Sequence, residues 1–153
     1  MSIEAVRRFF EEKAPGIQVI EHQQSTATVA QAAAVLGVAQ AQIAKTLALG
    51  LADGLALFVL AGNVRLDNQK FKAAFGAKPR MLPPDQTLAL TGHPVGGVCP
   101  FAVGDEVKIY CDVSLQAHEE IYPAAGSPNS AVRLSPDQLA QLVNAQWVDI
   151  GKV

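Results

Sequence analysis

The sequence predicts an α+β domain in which a mixed, partly closed, barrel-like sheet is surrounded by short helices. Three features of the chain point there. Strand-like runs are short and have helical patterns scattered between them. Two central apolar runs are joined by an Asp-Gly tight-turn signal. Both runs are apolar on each face, which suits strands in a barrel or covered sheet better than a sheet with one wet face.

The elements follow in order. Ile3, Val6, Phe9 and Phe10 recur at helical spacing, with Glu4, Arg7, Arg8, Glu11 and Glu12 on the other face. This gives an amphipathic helix from Ile3 to Lys13, stopped by Pro15-Gly16. Ile17 to Glu21 alternates like a strand. Thr28 is a suitable N-cap for an alanine-rich helix over Val29 to Leu36 that ends at Gly37, and a helical turn covers Ala39 to Ile43. Lys45 to Leu51 and Leu55 to Ala61 form the central hairpin around Ala52-Asp53-Gly54. Asp67 or Asn68 caps a helix through Phe75. Lys78 to Leu82 reads as a short strand, and Pro83-Pro84-Asp85 opens a helix that closes before Gly92.

Beyond a Gly/Pro-rich loop, Val107 to Asp112 reads as a strand. Glu120 to Ala124 and Ser130 to Leu134 form two more, joined by Ala125-Gly126-Ser127-Pro128-Asn129. Ser135-Pro136-Asp137-Gln138 is a capping box with proline at the first helical position, and its helix is expected to reach Asn144. Trp147 to Ile150 closes the chain as a strand.

Composition narrows the function. The chain has 153 residues, expected to form one domain over 1–153; half are hydrophobic and 17% are charged, which suits a substantial core and argues against disorder. The formal net charge of −2 is unlike a protein that coats DNA or RNA, so contact with nucleic acid is expected only over a small part of it. No stretch approaches the roughly 20 apolar residues of a membrane span, and residues 1–8 lead into no signal-peptide core. The expected compartment is therefore the cytoplasm, where Cys99 and Cys111 remain free thiols. His22, His93 and His118 are scattered, no Cys/His spacing resembles a zinc site, and no cofactor is expected.

Two segments carry chemistry. Ala44-Lys45-Thr46-Leu47 places a lone cation in apolar sequence. Gly92-His93-Pro94-Val95-Gly96-Gly97-Val98-Cys99-Pro100-Phe101 is a loop whose glycines and prolines leave the backbone as its main functional surface. A cation facing bare amides suits an anion or a developing oxyanion. The plainer alternatives are a snorkelling lysine at a strand edge and a tight turn between strands.

With Asn63-Val64-Arg65-Leu66-Asp67, Ala125-Gly126-Ser127-Pro128-Asn129 and Val132-Arg133-Leu134-Ser135-Pro136, these segments run in an order that resembles the YbaK/ProX family of aminoacyl-tRNA deacylases. That family is related to the editing domain of bacterial prolyl-tRNA synthetases, and the resemblance extends nearly end to end. It implies a YbaK-like mixed barrel with surrounding helices. It also implies free-standing hydrolysis of the ester that joins a wrong, small amino acid to tRNA(Pro), at the acceptor 3′ end, with a synthetase as a further partner. Lys45 falls at the family's essential lysine, and Gly96, Gly97, Val98, Cys99 and Pro100 at its Gly-x-x-x-Pro loop. The synthetase-inserted members carry a functional histidine late in the domain, whereas Gly126 to Val132 contains none.

On this reading the amides of Gly97, Val98 and Cys99 cradle the carbonyl oxygen, and Lys45 pairs with a phosphate or a substrate oxygen. Thr26, Thr28, Asn63, His93, Gly126 and Asn129 are candidate substrate contacts. Thr28 as a helix cap, Asn129 as a turn residue and His93 as an exposed loop histidine are the competing readings. No general base stands out, so the free ribose hydroxyl of the substrate is expected to assist the attacking water. Two other functions fit the residues. One is a thiol-dependent esterase using Cys99 with His93 nearby, and the other is a non-catalytic module that binds the tRNA 3′ end or a synthetase.

Overall fold

The computed structural model describes residues 2–153 as five short helices around a mixed sheet. Helix α1 spans Ser2–Lys13 and buries Val6 and Phe10. After the two-residue strand β1 (Ile20–Glu21), helix α2 (Val29–Leu36) begins in a capping box between Thr28 and Gln31. A 3-10 turn over Gln40–Gln42 leads into β2 (Ile43–Leu51), and β3 (Gly54–Ala61) returns antiparallel to it from Lys45↔Leu60 through Gly50↔Leu55. The expected hairpin is therefore present, and it is the centre of the sheet.

Strand β4 (Arg65–Leu66) precedes helix α3 (Asn68–Phe75), whose N-cap is Asp67, with its carboxylate accepting the Gln69 and Lys70 amides. Strand β5 (Arg80–Met81) and helix α4 (Pro84–Thr91) follow, and α4 ends at Gly92 in the left-handed region. Beyond the glycine loop come β6 (Lys108–Asp112), a 3-10 turn over Val113–Ala117, β7 (Tyr122–Pro123) and β8 (Ser130–Ala131). Helix α5 (Pro136–Leu142) starts from the Ser135–Gln138 capping box, and β9 (Gln146–Val148) and β10 (Gly151–Lys152) complete the chain.

The main sheet runs in the order β5-β2-β3-β6-β9, with β7 added parallel to the first residues of β2. It is mixed: β2 is antiparallel to β3 and β5, whereas β3–β6 and β6–β9 are parallel. The path does not close on itself, so the sheet is open rather than a barrel. Two small antiparallel pairs, β1–β8 and β4–β10, flank it.

Several expected strands shrink. Ile17–Glu21 contributes only Ile20 and Glu21, because its partner β8 is itself two residues long. The Glu120–Ala124 and Ser130–Leu134 runs meet through the isolated bridges Ile121↔Leu134 and Ala124↔Ala131 instead of a continuous ladder, since β7 is also paired to β2. Trp147–Ile150 is replaced by β9, and α5 stops at Leu142 rather than Asn144.

The core is continuous across both faces of the hairpin: Leu57, Phe58, Val59 and Leu60 are fully buried in succession. Phe58, Phe71, Phe75 and Tyr110 form one aromatic cluster. Phe9, Phe10 and Phe101 form a second, behind the glycine loop, with centroids 4.7–5.6 Å apart. Among the described residues no helix is long and apolar enough to cross a membrane.

Candidate active site

Strand β2 supplies the floor of a cavity of about 270 Å³ through consecutive residues from Ile43 to Ala48, Lys45 among them. Thr26 to Val29 and Ala32 form one wall, and Met81, Leu82, Pro84 and Thr87 another. The glycine loop adds Val95, Gly96 and Val98, and the β7–β8 region adds Tyr122, Ala124, Ser130 and Ala131. The lining is mainly aliphatic with a few hydroxyls. It contains one cation, Lys45, and no Asp, Glu, His or Cys among the described residues.

Lys45 is a strand residue whose ammonium reaches the loop after β3. It donates to the Gly62 carbonyl at 3.3 Å and to the Val64 carbonyl. An ammonium has three N–H groups, so this perch leaves one for a ligand. Partial burial pushes its pKa below the ordinary lysine value. Asn63 lies between the two carbonyls, but its side chain does not line the cavity. Gly62 has no room for a side chain, since a Cβ there would overlap the Gln40 carbonyl and sit 2.7 Å from Val29 Cγ1.

The glycine loop divides its residues between two sides. Gly96 and Val98 face the cavity. Gly97 is turned the other way: its amide donates to the Pro94 carbonyl at 3.0 Å, and its carbonyl accepts from Gly126 N–H at 3.0 Å. The expectation that three successive amides face a ligand is corrected at Gly97, whose N–H closes the loop's own turn. Among the described residues, the Val98 and Cys99 amides have no main-chain acceptor. Pro100 lines a different cavity of about 600 Å³, with Phe9, Lys13, Lys108 and Asn144.

Thr26 and Thr28 both line the first cavity. Thr26 is buried and donates its amide to the Pro128 carbonyl at 2.7 Å. Thr28 also caps α2, its hydroxyl accepting the Gln31 amide at 3.1 Å. Gly126 and Asn129 lie behind the wall. Asn129 donates to the His22 carbonyl at 2.8 Å and accepts from Ser127 Oγ at 2.9 Å, which is the turn role.

His93 and Cys99 are corrected in their placement. His93 is 1% exposed rather than an exposed loop residue, and Cys99 is fully buried. They are in contact, with Cys99 Sγ 3.4 Å from His93 Nε2, but neither lines the cavity. Nε2 also lies 2.7 Å from the Phe101 carbonyl, so it must carry the proton and cannot take one from the thiol. Burial pushes the Cys99 thiol up to about 12, far from a thiolate at neutral pH.

Sequence reasoning passed over Thr46, Thr87, Tyr122 and Ser130, which also line the cavity. The Thr46 hydroxyl is buried without a partner. Thr46 lies in the Ala44-Lys45-Thr46-Leu47 segment, and its polarity in an apolar strand is the available signal. Thr87, Tyr122 and Ser130 reach the site through the packing of α4, β7 and β8, which no local pattern reveals. Among the described residues no cluster of His, Cys, Asp and Glu is arranged to hold a metal ion.

Residues 23–142 match the family model of the aminoacyl-tRNA editing domain. A Bacillus subtilis (strain 168) protein, YwhH, named as uncharacterised, is 42% identical over 99% of this chain and 98% of its own length. EbsC of Enterococcus faecalis, named as a candidate Cys-tRNA(Pro)/Cys-tRNA(Cys) deacylase, is 31% identical over 75% of this chain and 71% of its own. A crystal structure titled as a candidate trans-editing enzyme for prolyl tRNA synthetase superposes with a TM-score of 0.90 at 31% identity, covering 99% of this chain and 98% of that one.

Proposed function

The chain belongs to the aminoacyl-tRNA editing domain family, and we propose that it acts as a single free-standing domain that hydrolyses the ester of mischarged aminoacyl-tRNA. The substrate is a small amino acid on tRNA(Pro), offered in the cytoplasm at the acceptor 3′ end. A synthetase holds the part of the tRNA that this weakly charged protein does not. One observation carries the reading: a cation on β2 and the glycine loop line the same small, mostly aliphatic cavity.

The chemistry follows from what lines that cavity. An aminoacyl ester is already activated, so the protein must orient it and stabilise the tetrahedral oxyanion. The Val98 amide, which among the described residues has no main-chain acceptor, donates to the carbonyl oxygen. The remaining N–H of the Lys45 ammonium holds a phosphate or ribose oxygen at the mouth. Met81 and Val95, both lining the cavity and both more than half exposed, flank the path the terminal nucleotide takes.

Among the described residues no acidic side chain or imidazole lines the site, and on this reading the substrate handles the proton. Water attacks the carbonyl carbon, and the free ribose hydroxyl accepts the water's proton while passing its own to the adjacent esterified oxygen. That oxygen then leaves as a neutral hydroxyl while the carbonyl re-forms. Replacing that hydroxyl by hydrogen slows cleavage steeply on this mechanism, and an unchanged rate rules it out. A thiol esterase has no support in the geometry, because Cys99 is buried outside the cavity.

A panel of aminoacyl-tRNAs incubated with wild type and Lys45→Ala tests the proposal. Selective cleavage of a mischarged tRNA, lost in the folded variant, supports it. Binding without cleavage of any member of the panel points to a non-catalytic module.

A further inference from the structure

Behind the cavity wall lies a buried polar cluster that the proposed chemistry leaves unused. His93 Nε2 donates to the Phe101 carbonyl at 2.7 Å, which fixes the tautomer and leaves Nδ1 to accept the Ser2 hydroxyl. The His93 amide donates to Thr91 Oγ1 at 3.0 Å. The imidazole therefore joins the start of α1 to the far end of the glycine loop, and the His93 amide ties the same residue to the end of α4. The chain enters the loop at residue 93 and leaves it at residue 101, so the ring closes that segment on itself. Every loop residue that lines the cavity, Val95, Gly96 and Val98, lies inside the closed segment.

The closure is anchored on both sides. The Phe101 ring packs on Phe9 and Phe10 of α1, with centroids 5.6 and 4.7 Å away. Ser2 abuts Gly126, where an added Cβ would sit 2.7 Å from Ser2 Oγ, and Gly126 in turn donates to Gly97. The N-terminal helix and the glycine loop thus meet through one hydrogen-bonded ring.

We propose that His93 is a positioning residue for deacylation: by tying Phe101 to Ser2 it holds the Val98 wall where the transition state needs its amide. The inference rests on the reading of that loop as the oxyanion wall. An apolar side chain of similar bulk fills the space but leaves a buried carbonyl without its donor. Glutamine carries a donor and an acceptor on one end group and restores both bonds.

The experiment compares His93→Gln, His93→Leu and Ser2→Ala in the full chain, using the aminoacyl-tRNA that wild type cleaves fastest. Loss of a positioned oxyanion donor lowers kcat by roughly 100-fold with KM little changed, and that is the result expected for His93→Leu. His93→Gln is expected to retain most of the wild-type kcat. A second readout needs no activity: in a Cys111→Ala background, disulfide-exchange labelling of Cys99 accelerates with leucine at 93 and not with glutamine. Equal kcat losses for Gln and Leu, or an undiminished Leu variant, overturn the proposal. Should His93→Leu fail to fold, Ser2→Ala decides: a several-fold drop in kcat supports positioning, and none overturns it. Absence of cleavage by wild type overturns the reading of the site, while the labelling contrast still tests the hold on the loop.

Discussion

Gly97 and Gly126 meet backbone to backbone, the Gly126 amide donating to the Gly97 carbonyl at 3.0 Å. A Cβ on Gly97 would lie 2.5 Å from Ser127 N and 2.7 Å from the Gly126 carbonyl carbon, both main-chain atoms that cannot swing aside. Gly97→Ala therefore pushes the glycine loop into the cavity. Overpacking of this kind costs about 1–3 kcal/mol. The expected outcome is a lower thermal midpoint together with a fall in kcat larger than the stability loss explains. A variant with wild-type kcat would show that the position of the loop is not critical.

Lys45 depends on the shape of the loop after β3, since its ammonium is held by Gly62 and Val64 carbonyls. Gly62→Ala forces that loop away from Gln40 and Val29. Deacylation is expected to fall with Gly62→Ala nearly as far as with Lys45→Ala, and the double variant is expected to be no worse than the poorer single one. Residues that act as a unit give such non-additive losses. Simple multiplication of the two losses would separate the perch from the cation.

Much of this arrangement was legible in the chain. The Asp-Gly turn and the two apolar runs placed β2 and β3, and the Thr28, Asp67 and Ser135 caps were visible because capping is a local contest between side chain and backbone. Lys45 stood out as a charge in an apolar strand. What stayed hidden is what tertiary packing decides. β4 and β10 are two-residue strands that exist only because residues 65–66 and 151–152 are brought together. The burial of His93 depends on α1 closing over it, and the outward turn of Gly97 depends on the 125–130 loop. No period or motif encodes either.

Cys99 offers a direct check on the mechanism. Its thiol is fully buried, pushed up to about 12, and faces an imidazole whose nearest nitrogen already donates to Phe101. Cys99→Ser preserves shape with only a small change in volume, so deacylation is expected to persist within about tenfold, the remainder reflecting a buried hydroxyl. Complete loss in a folded Cys99→Ser protein would restore the thiol as a nucleophile.

The same imidazole gives stability a pH dependence. Burial holds His93 below its ordinary value of 6.5. Among the described residues the ring meets the Ser2 hydroxyl, the Phe101 carbonyl and the Cys99 thiol, none of them a carboxylate. Below pH 6.5 the unfolded chain takes up a proton that the folded ring resists, so stability is full above that value and declines as pH falls through it. The slope approaches about 1.4 kcal/mol per pH unit at most for one proton and levels off below the folded-state value. Urea midpoints measured from pH 8 to pH 5 are expected to fall for wild type, with that component absent in His93→Gln. An identical profile in the variant would assign the slope elsewhere.

Asp112 joins the far edge of the sheet to the perch of Lys45. It is 2% exposed; Oδ1 accepts the Ile150 amide at 2.8 Å, and Oδ2 accepts the Ser114 amide at 3.0 Å. Ser114 Oγ in turn accepts the Ala61 amide at 3.1 Å, one residue before Gly62, and the Ile150 carbonyl accepts the Asp67 amide at 2.8 Å. The loop that presents carbonyls to Lys45 is thus fixed at both ends through one carboxylate. Asp112→Ala leaves two buried amides without acceptors, and each such orphan costs about 1–3 kcal/mol. Asp112→Asn keeps one acceptor oxygen and is expected to lie between the alanine variant and wild type. The denaturation midpoint should therefore fall in the order wild type, Asn, Ala at constant m-value. Because the strain reaches residues 61–67, kcat for deacylation should follow the same order under conditions where all three proteins remain folded. An alanine variant that is destabilised but fully active would uncouple the sheet edge from the lysine and confine Asp112 to holding the fold.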